Sequence, residues 1–197
     1  MRLIFASNNA GKLRELREIL PDMDIVSQRE AGIELEVEET GTTFAENSYL
    51  KAIAVTRLTG LPAVADDSGL CVDALNGEPG VYSARYSGSH EHTDRERYEY
   101  LLKKLEGVSD RRAKFICAVC CTMPNGDVLR TEGQCPGEIL LAPAGSNGFG
   151  YDPVFRPEGF ECSMAELAQQ EKNAISHRGK AMREFRSVLE EYLAEKG

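Results

Sequence analysis

The sequence predicts an α/β fold in which helices flank a mixed β-sheet, and three patterns indicate it. Residues 2–6 form a short strand-like run that is apolar after Arg2, and apolar positions within residues 13–20 then recur at helical spacing. Residues 113–123 and 128–133 are strand-like runs separated by a turn at residues 124–127. A strand–helix unit followed by a hairpin predicts a sheet whose strands run in both directions.

Local signals predict the remaining elements. Two capping boxes, in which a Thr and a Glu three residues later bond each other's backbone, each open a helix. An apolar stripe near the end of the chain predicts a last helix, with Ser176 as the N-cap of that helix. The predicted strands lie near residues 24–27 and 33–37, and the predicted helices cover residues 43–60, 93–107 and 177–193.

The composition is that of one folded domain. A chain of 197 residues with 42% hydrophobic content can bury a substantial core, and its length favours one domain or two closely joined lobes. Internal repeats, low-complexity segments and Pro/Gly/Ser-rich linkers are absent from the sequence. We therefore treat residues 1–197 as a single domain.

Charge and hydropathy exclude two classes of partner. The net charge of −9 leaves no broad basic surface for a nucleic acid, so an anionic ligand would need a local basic pocket or a metal ion. The longest apolar runs, such as residues 115–121, are far too short to cross a bilayer, and residues 1–3 lead into a strand rather than a signal peptide. We expect a cytoplasmic protein with neither a nucleic-acid nor a membrane partner.

The cysteines and histidines carry weak signals. The pair Cys117 and Cys120 has a spacing found in zinc sites, but a zinc knuckle needs a turn between its ligands and a second ligand pair. Reduced, packed thiols are therefore favoured over a metal or disulfide role. His90 and His92 lie in a polar stretch and are expected to be surface histidines.

An acidic strand between residues 62 and 75 is the strongest functional signal. We expect the strand to end at Asp66, Asp67 and Ser68 and to turn at Gly69. Because side chains alternate along a strand, the two aspartates should point to opposite faces, one into a cleft and the other toward the loop. The alternative is a turn whose polar side chains merely bond the backbone.

The loop before the first helix could hold phosphate. Free backbone N–H groups and the positive end of the helix dipole favour an anion there, next to Lys12. Ser7, Asn8 and Asn9 would add side-chain hydrogen bonds. The spacing is not that of a Walker loop, and simple N-capping is the alternative.

Three further features are candidates for ligand contacts. Thr43, Asn47 and Lys51 share one helix face, which is either part of a site or a solvated stripe. Phe149 lies between glycines, so its ring could present a flat face to a ligand, although structural turns use the same residues. Basic residues gather at the start of the last helix, where the dipole disfavours cations, which suggests an anionic or carbonyl-bearing ligand; they are Lys172, His177 and Arg178.

Taken in order, seven motifs resemble those of the inosine/xanthosine triphosphate pyrophosphatase family, over nearly the whole chain. They are Ser7-Asn8-Asn9-Ala10-Gly11-Lys12, Glu39-Thr40-Gly41, Thr43-Phe44-Ala45-Glu46-Asn47 with Lys51, Ala65-Asp66-Asp67-Ser68-Gly69-Leu70, Pro79-Gly80-Val81-Tyr82-Ser83-Ala84-Arg85-Tyr86, Gly148-Phe149-Gly150-Tyr151-Asp152-Pro153 and Ser176-His177-Arg178-Gly179.

The resemblance implies an enzyme that hydrolyses ITP, dITP and XTP to the monophosphate and pyrophosphate, and so cleans the nucleotide pool. It also implies a long mixed sheet in two lobes, an active site in the cleft between them, and a homodimer. Glu39 and Asp67 are hard oxygen ligands suited to Mg²⁺.

The same resemblance assigns roles to individual residues. Asp67 would accept the proton of the attacking water, and Lys51 would neutralise phosphate oxygens as the second catalytic residue. For Asp66 we ourselves expect a place in the metal shell or a role in supporting the loop. The residues expected to bind substrate are Ser7, Asn8, Asn9, Ala10, Gly11, Lys12, Ser68, Phe149, Gly150, Tyr151, Asp152, Lys172, His177 and Arg178.

Base selection is expected to fall to the other lobe. Phe149 would stack on the base, and donors from Lys172, His177 and Arg178 would meet the 6-oxo oxygen of hypoxanthine and xanthine. Adenine carries a donor amine at that position, and the resulting mismatch would leave buried polar groups unpaired.

Two rival functions have weaker support. A phosphohydrolase that forms an aspartyl-phosphate typically has its two aspartates one residue apart, on one face, whereas Asp66 and Asp67 are adjacent. A nucleotide-binding module without turnover would need no metal-binding acid and no base. Pyrophosphate release with Mg²⁺ would separate an enzyme from such a module.

Overall fold

The computed structural model describes residues 2–89 and 91–196 of the chain. Within them, six strands are β1 Arg2–Phe5, β2 Asp24–Ser27, β3 Ala63–Val72, β4 Arg112–Thr122, β5 Val128–Ile139 and β6 Phe155–Pro157. Five α-helices are α1 Ala10–Ile19, α2 Phe44–Thr59, α3 Asp94–Lys104, α4 Gln169–Ile175 and α5 His177–Lys196. Short 3₁₀ helices cover Asp73–Leu75, Gly80–Arg85 and Asp152–Val154.

The strands form one mixed sheet in the order β2-β1-β3-β4-β5-β6. β1 is parallel to both β2 and β3, whereas β5 and β6 are antiparallel. β4 and β5 are neighbours joined by a turn in which the amide of Met123 bonds the carbonyl of Asp127 at 2.9 Å. The predicted α/β class and the predicted hairpin are confirmed.

The chain divides into two compact units. Unit 1 comprises the described residues of Met1–Asp67, Cys117–Gly133 and His177–Gly197, and unit 2 comprises those of Ser68–Ile116 and Gln134–Ser176. The single domain expected from the sequence, and an active site between two lobes, stay predictions.

In unit 1, hydrophobic residues lie on both faces of the sheet because strand side chains alternate. On one face, Phe5 and Val64 pack with Leu16 of α1 and Phe185 of α5, all of them 0% exposed. On the other face, Ile4, Ala63 and Ala65 pack with Ala52 and Val55 of α2. Helices α1 and α5 therefore cover the face to which Val64 points, and α2 covers the opposite face.

Unit 2 has its own core. Leu101 and Leu105, at the end of α3, pack with Ile139 and Phe155. The rings of Phe115 and Phe155 meet edge to face, with centroids 4.6 Å apart. This aromatic pair joins β4 and β6 within the core.

The predicted helix starts are largely confirmed, and two strand predictions are wrong. Both capping boxes form, at Thr43 with Glu46 and at Thr93 with Glu96. The acidic strand does not end at its aspartates but continues through them to Val72. Helix α1 begins three residues before the predicted start, α3 ends at Lys104 rather than near residue 107, and the short helix α4 was not predicted.

The strand expected at residues 33–37 is also wrong, since this segment is neither strand nor helix. Ile33 and Leu35 alternate with glutamates because they pack against the core beside α2, not because a neighbouring strand pairs with them. The side chain of Gln28 donates to the Leu35 carbonyl at 2.7 Å, where a sheet neighbour would otherwise bond. The alternation of apolar and acidic residues therefore predicted which side chains are buried, but not that the backbone lacks strand hydrogen bonds.

All six cysteines are free thiols, and Cys117, Cys120, Cys121 and Cys135 are buried. Burial raises the pKa of Cys120 to about 11 and that of Cys121 to about 12. These thiols pack as small apolar groups, as predicted.

His90 lies outside the described residues, and His92 is half-buried with its Nδ1 2.7 Å from the Ser87 hydroxyl. Among the described helices, none has the length and apolar character needed to cross a membrane.

Candidate active site

The two adjacent acids of β3 face opposite sides of the sheet in unit 1. Asp66 follows the alternation of Val64, toward α1 and α5, and Asp67 follows that of Ala65, toward α2. Asp66 is 0% exposed and Asp67 7%. Because buried carboxylates need charged or hydrogen-bonding partners, each acid has its own set of partners.

On the α1 and α5 side, Asp66 lies between two cations. Its Oδ2 is 3.1 Å from Nζ of Lys12 and 3.2 Å from Nε of Arg178. Arg178 also bonds Glu15 of α1 through Nη1. The result is a buried chain of alternating charge from Lys12 to Glu15.

The charges on this side hold one another in their ionised forms. Burial by itself would raise the pKa of Asp66, but Lys12 and Arg178 outweigh burial and hold that pKa well below its ordinary value. Burial would lower the pKa of Arg178, but Asp66 and Glu15 raise it further above its ordinary value. Asp66 is therefore a fixed negative charge that keeps two cations in place.

On the α2 side, Lys51 lies between two carboxylates. Its Nζ is 2.7 Å from Oε1 of Glu39 and 3.5 Å from Oδ1 of Asp67. All three side chains are at least partly exposed, with fractions of 13% for Lys51, 27% for Glu39 and 10% for Asp67. This group of residues, Glu39, Lys51 and Asp67, is the carboxylate–lysine cluster.

The environment of Asp67 differs from that of Asp66. Burial raises the pKa of Asp67 above its ordinary value, and the neighbouring lysines and Asn47 only partly oppose this. For Lys51, burial would lower the pKa, but Asp67, Asp66 and Glu39 together raise it. A carboxylate whose pKa is raised is a stronger base than an exposed one, so the protein places its better proton acceptor on the α2 side.

The loop before α1 carries the predicted polar residues. Asn9 is the N-cap of α1, with its Oδ1 accepting from the Lys12 amide at 3.0 Å, and Ser7 Oγ accepts from the Asn9 amide at 3.2 Å. N-capping is thus one role of this loop. Ala10 and Gly11 form the first turn, where backbone N–H groups lack intrahelical acceptors and the dipole favours anions. Asn8 and Ala10 are exposed there.

In unit 2, the Gly148–Asp152 loop is held by a buried ion pair. Asp152 Oδ2 accepts from Lys172 Nζ at 2.8 Å and from the Phe149 amide at 2.9 Å. The Lys172 ammonium lies 4.7 Å from the centroid of the Phe149 ring. A Cβ on Gly148 would lie 2.1 Å from Asp152 Oδ2, so only glycine allows this close approach.

Two further bonds hold the same loop. The Gly150 amide donates to Asp94 at 2.7 Å, and the Tyr151 hydroxyl donates to the Ser83 carbonyl at 2.8 Å. Asp94 begins α3 and was not singled out in the sequence. The capping box at Thr93 marks Asp94 as a residue of the first helical turn. Its bond to the Gly150 amide spans 56 residues, so no local sequence pattern could predict it.

The predicted site residues thus fall into two sets. Unit 1 contains Ser7 to Lys12, the carboxylate–lysine cluster, His177 and Arg178, whereas unit 2 contains Ser68, Phe149 to Asp152 and Lys172. The sequence placed His177 and Arg178 in the same lobe as Phe149, and the structure corrects this grouping. Arg178 is 2% exposed and pairs with Asp66 and Glu15, so its surroundings are those of the phosphate-side residues.

The carboxylate donors suit a hard divalent cation that is bound partly by substrate. In the part of the chain that the structure describes, no group of three or more His, Cys, Asp or Glu is arranged to hold a metal ion. Glu39 and Asp67 nevertheless flank one lysine and provide two carboxylates. A cation that keeps waters and binds phosphate oxygens needs no more protein ligands than these.

A family model described as the Ham1 family matches residues 3–188. The chain belongs to the Ham1 family. Two solved structures of Ham1 proteins have the same fold. The Ham1 protein of Staphylococcus aureus is 41% identical with a TM-score of 0.89, covering 98% of this chain and 100% of that one. A Ham1 protein from Coxiella burnetii is 45% identical with a TM-score of 0.89, covering 97% and 99%.

Several curated proteins of similar sequence carry the name dITP/XTP pyrophosphatase. A protein named dITP/XTP pyrophosphatase from Streptomyces avermitilis is 52% identical over 198 residues, covering 98% of both chains. Another with that name from Treponema denticola is 46% identical over 184 residues, covering 92% of this chain and 95% of that one.

Proposed function

We propose that this chain hydrolyses the non-standard purine nucleoside triphosphates dITP, ITP and XTP to the monophosphate and pyrophosphate. The assignment to the nucleoside-triphosphate pyrophosphatases is supported by relatives that are 52% and 50% identical to this chain and align over 98% of it. The single structural observation that carries the proposal is the carboxylate–lysine cluster, in which one lysine lies between two partly buried carboxylates. Such a cluster can bind a metal–triphosphate and also supply a base.

Glu39 and Asp67 are the residues we assign to Mg²⁺. When bound, the ion would neutralise phosphate charge and lower the pKa of water. The fit rests on the donor chemistry, since Mg²⁺ takes oxygen ligands, retains waters and is often held by one or two carboxylates together with substrate phosphates. Lys51 bridges the two carboxylates, and we assign its ammonium to neutralising phosphate oxygens of the substrate.

Asp67 is the residue we assign to proton acceptance from the attacking water. Its burial raises its pKa, which strengthens it as a base, and its Oδ1 lies at the lysine side of the cluster. Asp66 lacks this character because two cations hold it ionised on the other face. We therefore assign Asp66 to charge placement and not to the metal shell.

Phosphate binding is assigned to the α1 end of unit 1. Lys12 supplies a cation, the amides of Ala10 and Gly11 point out of the first turn, and Ser7, Asn8 and Asn9 add side-chain donors. Ser68 is half-buried on β3 and lies two residues after Asp66, on the same face by strand alternation, so we assign its hydroxyl to the phosphates that Lys12 would bind. These contacts carry no base information and serve every triphosphate alike.

Base recognition is assigned to Phe149 and Lys172, with His177 and Arg178. The Lys172 ammonium lies 4.7 Å from the centroid of the Phe149 ring, so the stacking ring and this cation form one candidate base-binding group. A base contact by Arg178 stays a prediction, and its bonds to Asp66 and Glu15 tie it to the phosphate side. Gly150, Tyr151 and Asp152 hold the loop that presents the ring.

The test is a panel of nucleoside triphosphates incubated with the protein and Mg²⁺, with products separated by chromatography. We expect IMP, dIMP or XMP with pyrophosphate from the non-standard substrates and much slower turnover of ATP. Release of orthophosphate, or equal rates for ITP and ATP, would contradict the proposal. We also propose a cytoplasmic homodimer, for which light scattering should give twice the chain mass of 21.7 kDa.

A further inference from the structure

We infer that Asn47 is a positioning residue that fixes the separation of Glu39 and Asp67. The inference rests on the proposed function, because it concerns the two carboxylates to which that function assigns the metal and the base. Asn47 would not touch the substrate. Its role would be to hold the carboxylates at one distance before the metal–triphosphate arrives.

The Asn47 side chain bridges two parts of the chain. It is 0% exposed and lies on α2, one helical turn before Lys51. Its Nδ2 donates to Asp67 Oδ2 at 3.1 Å, and its Oδ1 accepts from the Gly41 amide at 2.8 Å. Since a backbone N–H can only donate, the oxygen must face Gly41, and the nitrogen must therefore face Asp67. One amide thus uses both ends at once.

The close approach of Asn47 requires a glycine at position 41. A Cβ on Gly41 would lie 2.6 Å from Asn47 Oδ1 and 2.6 Å from Glu46 Cβ. The Glu46 carboxylate holds the next two amides, those of Thr42 and Thr43, at 2.7 Å and 3.1 Å. The segment that carries Glu39 is therefore fixed to the first turn of α2 two residues after that acid.

The neutral amide suits this position better than a charged group. By donating to Oδ2, Asn47 orients the Asp67 carboxylate so that Oδ1 faces Lys51. A carboxylate at position 47 would add a third negative charge beside Glu39 and Asp67, and a cation would compete with the metal. An asparagine leaves the charge balance of the carboxylate–lysine cluster unchanged while setting its geometry.

Two variants test the inference, with one matched control. Asn47→Ala removes both bonds, whereas Gly41→Ala moves the loop away from Asn47 without removing a hydrogen-bonding atom. The control is Ser48→Ala; residue 48 is 1% exposed, and its hydroxyl donates to the Ala45 carbonyl on the same helix. Each protein is titrated calorimetrically with an α,β-methylene analogue of ITP, once with Mg²⁺ and once with EDTA, and assayed for pyrophosphate release from ITP.

We expect both test variants to bind the analogue roughly 10-fold more weakly than wild type with Mg²⁺ and as tightly as wild type in EDTA. Pyrophosphate release should fall by roughly 10- to 100-fold in both, and Ser48→Ala should match wild type. Equal weakening with Mg²⁺ and in EDTA, or wild-type behaviour of both variants, would overturn the inference. If Asn47→Ala does not fold, Gly41→Ala decides between these outcomes. A wild-type protein that releases no pyrophosphate would instead overturn the proposed function itself.

Discussion

Replacing each aspartate of β3 by asparagine should change stability in different ways, although the residues are adjacent. Asp66→Asn keeps the shape but leaves Lys12 and Arg178 without the carboxylate that lies 3.1 and 3.2 Å from them. Removing one partner of a buried ion pair costs about 3–5 kcal/mol. For a chain of this size, that loss corresponds to a fall in Tm of roughly 6–20 °C, and since asparagine retains one acceptor oxygen we expect the lower half of this range.

Asp67→Asn should leave Tm unchanged or raise it. Because burial raises the pKa of Asp67, its ionised form disfavours folding at neutral pH, and Lys51 retains Glu39 at 2.7 Å in the variant. Asp24→Asn is a surface control, because it breaks an ion pair with Arg2 whose side chains are 62% and 54% exposed, and it should shift Tm by about 2 °C or less.

The assay is thermal unfolding followed by circular dichroism. The depressed pKa of Asp66 means that its stabilisation is present above the unfolded-state pKa and is lost as pH falls through the folded-state pKa. The difference in Tm between wild type and Asp66→Asn should therefore stay constant from about pH 5 to 8 and decrease only in stronger acid. A Tm for Asp66→Asn within about 2 °C of wild type would refute the reasoning about the buried charge chain.

Three further predictions concern the metal, the base and the thiols. EDTA should abolish pyrophosphate release and added Mg²⁺ should restore it, and full activity in EDTA would contradict the assignment of Glu39 and Asp67. Lys172→Met, which keeps the apolar stem, should reduce the preference for ITP over ATP, measured as the ratio of kcat/KM values, by roughly 1–3 kcal/mol. Lys12→Ala should instead lower kcat/KM for ITP and for ATP by a similar factor. The reverse pattern would refute the division of roles. In the native protein, a thiol reagent at pH 8 should modify at most Cys71 and Cys162, which are half-buried, and should reach the four buried cysteines only after unfolding.

The sequence was sufficient where the signal is local. Thr43 and Glu46 form the predicted capping box because both partners lie within one helical turn. The opposite directions of Asp66 and Asp67 follow from strand alternation alone. The shared face of Asn47 and Lys51 follows equally from helical spacing, although what Asn47 bonds could not be predicted.

The sequence was insufficient where partners are distant. Arg178 pairs with Asp66 across 112 residues and with Glu15 across 163, and no periodicity connects such positions. The expected end of the strand at Asp66 and Asp67 was wrong because polar residues usually mark a turn, whereas here a lysine on each face pairs with the aspartate and the strand continues. The grouping of Arg178 with Phe149 rested on the cations at the start of the last helix, a pattern that gave no sign of the distant partners Asp66 and Glu15.

The most direct test of the central claim is the kcat for pyrophosphate release from ITP by Asp67→Asn, measured with saturating Mg²⁺. The variant keeps the shape of the side chain but removes its charge and its basic oxygen. We predict a kcat at least ~100-fold below that of wild type, together with a Tm that is equal or higher. Near-normal turnover in a folded Asp67→Asn protein would show that the carboxylate–lysine cluster is not where the water is activated.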